Sequence, residues 1–244
     1  MQRPNKAFSH YEFEHNYQAE LDRKYPSRLK VYNKGQISED ETNNTHYFYQ
    51  HVGESLIKLK DYQFILKPGM FASVAGSYNL ENHSGNSQGI VITRDNWLGY
   101  TLIGGPVEHK GRLKYIDGCT DSLLLSPPKL GDPCLNLLYF PPDIDQTMHD
   151  HPSDRIGIIM SGYGQCVAKN LNGEEETIDL IPGMIFCIHA HGLHKFKTPY
   201  GKDMRVLAYH PDSDFGPNDE NHPMLNRTIV DGISAKDIES IRTK

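Results

Sequence analysis

The chain has 244 residues, 37% of them hydrophobic and 23% charged, with 25 Lys and Arg against 31 Asp and Glu for a formal charge of −6. That composition describes a globular protein with material for one large domain or two small ones. It argues against a dedicated nucleic-acid binder, which carries a basic patch or a high pI, and no run of 18 apolar residues exists to span a membrane as a helix.

The opening residues Met1-Gln2-Arg3-Pro4-Asn5-Lys6 lead into polar and aromatic sequence, where a signal peptide needs an apolar stretch. A cytoplasmic protein is expected. Its cysteines, Cys119, Cys134, Cys166 and Cys187, are then expected as reduced thiols. None sits in a CxxC pair, so a zinc ribbon is not expected. Over residues 1–30, Tyr11, Phe13, Tyr17, Leu21 and Tyr25 recur at gaps of two to four. The spacing fits either a short amphipathic helix ending before Pro26 or an arm packed on a barrel. Gly35 and the polar run Ser38-Glu39-Asp40-Glu41-Thr42-Asn43-Asn44 read as a loop, so 1–45 is expected as an N-terminal arm.

From 46 to 215 short apolar runs alternate with Gly, Pro, Asn and Asp clusters. Ile57–Leu59, Phe64–Leu66, Gly89–Thr93, Leu135–Phe140, Ile185–Ile188 and Met204–Tyr209 are examples. They are strand-length and rich in β-branched or aromatic residues, which predicts an all-β sandwich or barrel. Leu66-Lys67-Pro68-Gly69-Met70-Phe71 parallels Leu180-Ile181-Pro182-Gly183-Met184-Ile185. The match suggests two copies of one β-domain, over 46–115 and 116–215. Residues 216–244 form a tail, and 231–244 is expected to hold a short helix capped by Ser234.

The 13 histidines cluster. In Met148-His149-Asp150-His151, positions i and i+2 of a strand face the same way, so His149 and His151 present two imidazoles to one point. Two exposed turn histidines are the plain alternative. Further on, Pro182-Gly183, the apolar run Ile185-Phe186-Cys187-Ile188, and His189-Ala190-His191-Gly192-Leu193-His194 give a strand, a turn and a third imidazole, His194. Imidazole nitrogens suit a divalent transition metal.

These two segments resemble the paired motifs of the cupin superfamily. His149 and His151 match its HxH, Gly162 its closing glycine and His194 its second-motif histidine. Asp143 stands where the family has its first glycine, and His189-Ala190-His191 replaces Pro-x-Gly. Arg155 stands where the family has a glutamate ligand, and a guanidinium has no lone pair for a metal. The resemblance implies double-stranded β-helix barrels, two in tandem, the first without a metal motif. It also implies a metal held by His149, His151 and His194, with Asp154 as an alternative fourth ligand or a turn carboxylate.

Arg155 is read either as an anchor for a substrate anion or as a surface or Asp-paired arginine. His191 is read as an acid or base near the metal or as a solvated turn residue, and Tyr209 as a pocket wall or a core tyrosine. The leading function is a metal-dependent enzyme acting on a small organic anion. Its first form is a non-haem Fe(II) dioxygenase, as three-histidine sites in this superfamily imply. The alternatives are a lyase, isomerase or hydrolase using Zn, Mn or Ni, and a small-molecule-binding cupin without catalysis. A homodimer is expected, with a small-molecule substrate and neither nucleic acid nor membrane as partner.

Overall fold

The computed structural model describes residues 6–13 and 24–243, and residues 18–21 by backbone alone. Met1–Asn5 and Tyr17 lie outside the described residues, and with them the reading of the chain's start and part of the aromatic pattern. No helix among the described residues is long and apolar enough to cross a membrane.

Strand β1 (Phe8–Tyr11) is followed by β2 (Gln18–Leu21), β3 (Ser27–Asn33), β4 (Gln36–Glu39), β5 (Thr45–Val52) and β6 (Ser55–Lys58). Next come β7 (Gln63–Leu66), β8 (Phe71–Ala75), β9 (Tyr78–Asn82), β10 (Gln88–Arg94) and β11 (Leu102–Gly104). The second half holds β12 (Leu113–Lys114), β13 (Thr120–Leu125), β14 (Cys134–Phe140), β15 (Arg155–Gly162) and β16 (Gly164–Lys169). It closes with β17 (Glu175–Leu180), β18 (Ile185–Ile188), β19 (His194–Lys197) and β20 (Met204–His210).

Each half is a pair of facing antiparallel sheets. The first half has β11-β8-β5-β10-β3-β2 over β4-β9-β6-β7, and the second has β1-β18-β15-β20-β14-β13-β12 over β17-β16-β19. The central strands of the large sheets correspond in order, β8 with β18, β5 with β15, β10 with β20 and β3 with β14. The duplicated Pro-Gly turns fall at the same joint, between β7 and β8 and between β17 and β18. Gly69 and Gly183 both turn there at positive φ, +80° and +90°, a conformation that favours glycine.

Two-residue alternation divides each strand of the large sheets between two cores. Leu135, Leu137, Ile156, Ile158 and Leu207 pack against Leu29, Val31, Tyr47 and Ile90 in the layer where the two halves meet. Phe140, Phe186, Phe196 and Val206 point the other way, into the second barrel. Phe48, Ile57, Tyr78 and Leu80 fill the first.

Three expectations are corrected. Of the two readings before Pro26, the amphipathic helix gives way to strands, and β1 packs on a barrel as an arm does. β1 adds to β18 of the second barrel, and β2 pairs with β3 of the first. The stretch from Gly35 through Asn44 is not one loop, because Gln36–Glu39 pairs with β9 as an edge strand, where polar residues are tolerated. The first sheet system therefore already includes residues of the expected arm. The helix expected in 231–244 is two short 3₁₀ turns, Ala235–Asp237 and Glu239–Ile241. Ser234 does precede the first, without a side-chain capping bond. Ile238, at φ −113° and ψ 88°, breaks the turn before an α-helix can propagate. The α-helix of the tail, α1 (Pro223–Arg227), lies earlier, where the His222 side chain accepts from the backbone N–H groups of Met224 and Leu225.

Candidate metal centre

Prolines and a left-handed Asp143 (φ +64°) keep the segment after β14 from continuing as a ladder. Isolated bridges hold it instead, Asp145 to Lys197 and His149 to His194. His149 and His194 exchange both backbone hydrogen bonds, each at 2.9 Å. His151 lies two residues on, and its carbonyl accepts the His191 N–H at 2.7 Å. The HxH pair is therefore fixed by a single bridge and a turn, where the sequence suggests a regular strand.

The three rings converge. Their centroids are 4.5 Å apart for His149 and His194, and 5.1 Å for each pair that includes His151. One nitrogen from each lies within 4.8 Å of the others. His149 Nδ1 meets the Thr147 carbonyl at 2.8 Å and His194 Nδ1 meets the Gly192 carbonyl at 2.9 Å. A carbonyl only accepts, so each Nδ1 carries the proton and each Nε2 offers its lone pair. His194 Nε2 is fully buried with no hydrogen-bond partner among the described residues. An orphaned acceptor of that kind costs about 1–3 kcal/mol unless something binds it. Burial, and then the Arg155 charge, push His151 down to about 2, while burial pushes His194 down to about 4. Both rings are neutral near pH 7, the form that ligates a metal. The donor set fits a divalent transition metal.

The centre lies in a pocket of about 570 Å³, open mouth included, that Arg155, Asn136, Asp121 and His210 also line. The aromatic rings of Phe140, Phe186 and Phe196 form its apolar wall. Arg155 donates from one terminal nitrogen to the Ser153 and Asp154 carbonyls and faces Asp212 at 3.6 Å. Its Nε is buried without a partner among the described residues, as is Asn136 Oδ1. Asn136 Nδ2 donates to Asp121 at 3.0 Å. Burial raises the Asp121 carboxyl from its ordinary value, and desolvation followed by the Arg155 charge holds His210 well below the usual histidine value.

Of the residues singled out in the sequence, His149, His151, His194 and Arg155 come together. Tyr209 does not. It is fully buried in the layer between the barrels, with its ring 4.9 Å from Tyr47. Its neighbours Ala208 and His210 line the pocket instead, because adjacent strand residues face opposite ways. His191 sits in a left-handed turn (φ +60°) with Nδ1 3.5 Å from Asp150, and is not part of the pocket wall. Asp154 is turned from the three histidines and accepts the Ala190 N–H at 2.8 Å. His210, Asn136 and Asp121 went unread. The signal was available as alternation with Ala208 and with Leu138, once the inward parity of each strand was known.

No protein-family model matches the chain, and no curated protein matches it. Solved structures do. The chain is similar to a cupin 2 conserved barrel domain protein from Leptotrichia buccalis, with 14% identity and a TM-score of 0.58 over 86% of this chain and 91% of that one. It is also similar to a putative glyoxylate-induced protein from Pseudomonas aeruginosa, with 13% identity and a TM-score of 0.59 over 88% and 82%. A third is oxalate decarboxylase of Bacillus subtilis, solved in work on its Mn(II) centres, with 10% identity and a TM-score of 0.52 over 90% and 81%. At these identities the likeness shows the fold.

Proposed function

The chain has the cupin fold in two copies, and on that premise we propose that the second copy is a metal-dependent enzyme acting on a small organic acid. The observation that carries the reading is the convergence of His149, His151 and His194 beside the buried Arg155 Nε in one pocket. A divalent metal held by the three imidazoles supplies a Lewis acid and, as Fe(II), a redox centre.

The chain's own residues do the rest. Arg155 Nε donates to the acid group of the substrate, a charge-assisted bond that orients it toward the histidines. Asn136 Oδ1 accepts from a substrate hydroxyl or amine. The rings of Phe140, Phe186 and Phe196 keep water from the reacting end. Three neutral ligands leave several coordination positions, which supports a dioxygenase as the first reading.

The second reading is a non-oxidative lyase, isomerase or hydrolase. Asp121 favours it, because a pocket-lining carboxyl whose affinity for a proton is raised by burial is placed to exchange a proton with a bound substrate. The likeness to an oxalate decarboxylase with Mn(II) centres also supports it.

Elemental analysis of protein purified without chelator, beside a His149→Ala/His194→Ala variant, tests the proposal. Small acids are then screened with and without O₂. Metal lost in the variant, with turnover that consumes O₂, supports the first reading. Turnover that persists without O₂ supports the second. Wild-type protein whose metal content the variant leaves unchanged overturns both.

A further inference from the structure

A second set of ligating atoms gathers on the opposite face of the same sheet. Phe186 and Ile188 of β18 line the pocket, whereas Ile185 and Cys187 point into the layer between the barrels. There Cys187 meets Asp154, just before β15, and His189, just after β18. Among the described residues, two groups of three ligating side chains have atoms within 4.8 Å of one another, and this is the one that shares no residue with the three histidines.

The spacing is informative. Cys187 Sγ lies 3.7 Å from Asp154 Oδ2 and 3.6 Å from His189 Nδ1. His189 Nδ1 lies 3.9 Å from Asp154 Oδ2, too far for a hydrogen bond. Around a tetrahedral ion with bonds of about 2.0–2.3 Å, neighbouring ligand atoms stand about 3.3–3.6 Å apart. The three atoms need to close by only a few tenths of an ångström. Their supports are already in place. Asp154 Oδ1 accepts the Ala190 N–H at 2.8 Å, and His189 Nε2 shares a hydrogen bond with Ser9 Oγ at 2.8 Å. Such contacts aim the remaining ligand atoms of a metal site. Cys187 and Asp154 are buried, while the His189 side chain is 25% exposed, which gives an ion a way in and a place for water.

We propose that Asp154 Oδ2, Cys187 Sγ and His189 Nδ1 form a second metal site, selective for a thiophilic divalent ion of the zinc type. In the metal-free chain the Cys187 thiol donates toward Asp154. On binding, the thiol proton leaves to solvent, and thiolate and carboxylate balance the two positive charges of the ion. The role is structural. The ion ties the start of β15 to the turn 189–194 that carries His194, under the β1 strand that supplies Ser9.

Cobalt separates the two sites, because a thiolate ligand gives a sulfur-to-cobalt charge-transfer band that an all-imidazole site lacks. Chelator-stripped protein reloaded with Co²⁺ is expected to take up two ions per chain and to show the band. The band is expected to survive His149→Ala/His194→Ala, with uptake falling to one ion. It is expected to vanish in Cys187→Ser with one ion retained, and Asp154→Asn gives the same comparison where Cys187→Ser does not fold. Loaded wild-type protein without the band overturns the second site, as does a single ion lost entirely from the double-histidine variant. The band surviving in a protein whose three histidines bind nothing upholds this site and sinks the proposed function separately.

Discussion

Arg155 and His46 occupy the same position in the two barrels. Arg155 lies opposite Ile188 on the neighbouring strand, and His46 lies opposite Val74 at the corresponding step of β5 and β8. The correspondence extends to the metal centre. Glu39 pairs with Tyr78 where, in the second barrel, His149 bridges His194. One copy thus lines its interior with polar groups. The other fills it, with the His46 ring 4.7 Å from Tyr78 and the Tyr78 ring 4.9 Å from Phe48.

His46 makes the filled barrel acid-sensitive. Burial lowers it from its ordinary value of 6.5 to about 3. Between those values the unfolded chain binds a proton at this residue and the folded chain does not. Stability present above pH 6.5 is therefore lost as pH falls toward 3, at about 1.4 kcal/mol per pH unit. Denaturant unfolding at pH 7 and pH 5 is expected to show a shallower loss in His46→Gln than in wild type, by about that amount per unit. Parallel losses would mean that His46 titrates while folded.

The three-histidine site predicts a contrast between neighbours in one turn. His194→Ala removes a buried imidazole and is expected to lose the ion held by the three histidines through gel filtration, leaving only what the Asp154, Cys187 and His189 group retains. His191→Ala removes a ring that lies off the pocket wall beside Asp150 and is expected to leave metal content unchanged. Equal metal loss in both variants would place the ion nearer the turn than the pocket.

Arg155 predicts anion binding. A hydrogen bond to a charged group is worth about 1.5–3 kcal/mol, which corresponds to roughly 10- to 150-fold in affinity. With oxalate as the probe, Arg155→Gln is expected to weaken binding by that factor in calorimetry. Arg155→Lys is expected to recover only part of it, because a lysine keeps the charge but lacks the planar fork of guanidinium donors. Unaltered oxalate binding in Arg155→Gln would return the residue to a structural pairing with Asp212.

The three convergent histidines were legible because their spacing survives without knowledge of the fold. His149 and His151 are two apart, and His194 follows a Pro-Gly turn and one short strand. The duplication was legible for the same reason, since a turn that needs glycine at positive φ leaves a mark at Gly69 and Gly183. Strand parity left no such mark. Val206, Ala208 and His210 read no differently from Leu207 and Tyr209 when both faces of β20 are buried, so the sequence leaves Tyr209 open between pocket wall and core and does not single out His210. The helix reading before Pro26 failed differently. Aromatic spacing at two to four residues fits a helix, but the long-range pairing of β1 with a strand some 180 positions away decides the outcome, and local pattern carries no trace of it.

That pairing gives the last prediction. Phe8 is 1% exposed and stacks on Phe186 at 5.5 Å, behind the pocket wall. The next residue back, Ala7, accepts the His189 N–H at 2.9 Å, and His189 opens the turn that carries His194. Truncating a buried phenylalanine costs about 3–5 kcal/mol. Phe8→Ala is therefore expected to lower global stability by that amount in denaturant unfolding. It is also expected to weaken metal binding at the three histidines, because the wall behind Phe186 and the anchor of the turn loosen together. Phe8→Leu keeps most of the buried volume and is expected to restore metal affinity ahead of full stability. A Phe8→Ala protein with wild-type metal affinity would show that the turn is held by its own hydrogen bonds, His191 N–H to the His151 carbonyl and His194 to His149, without help from the arm.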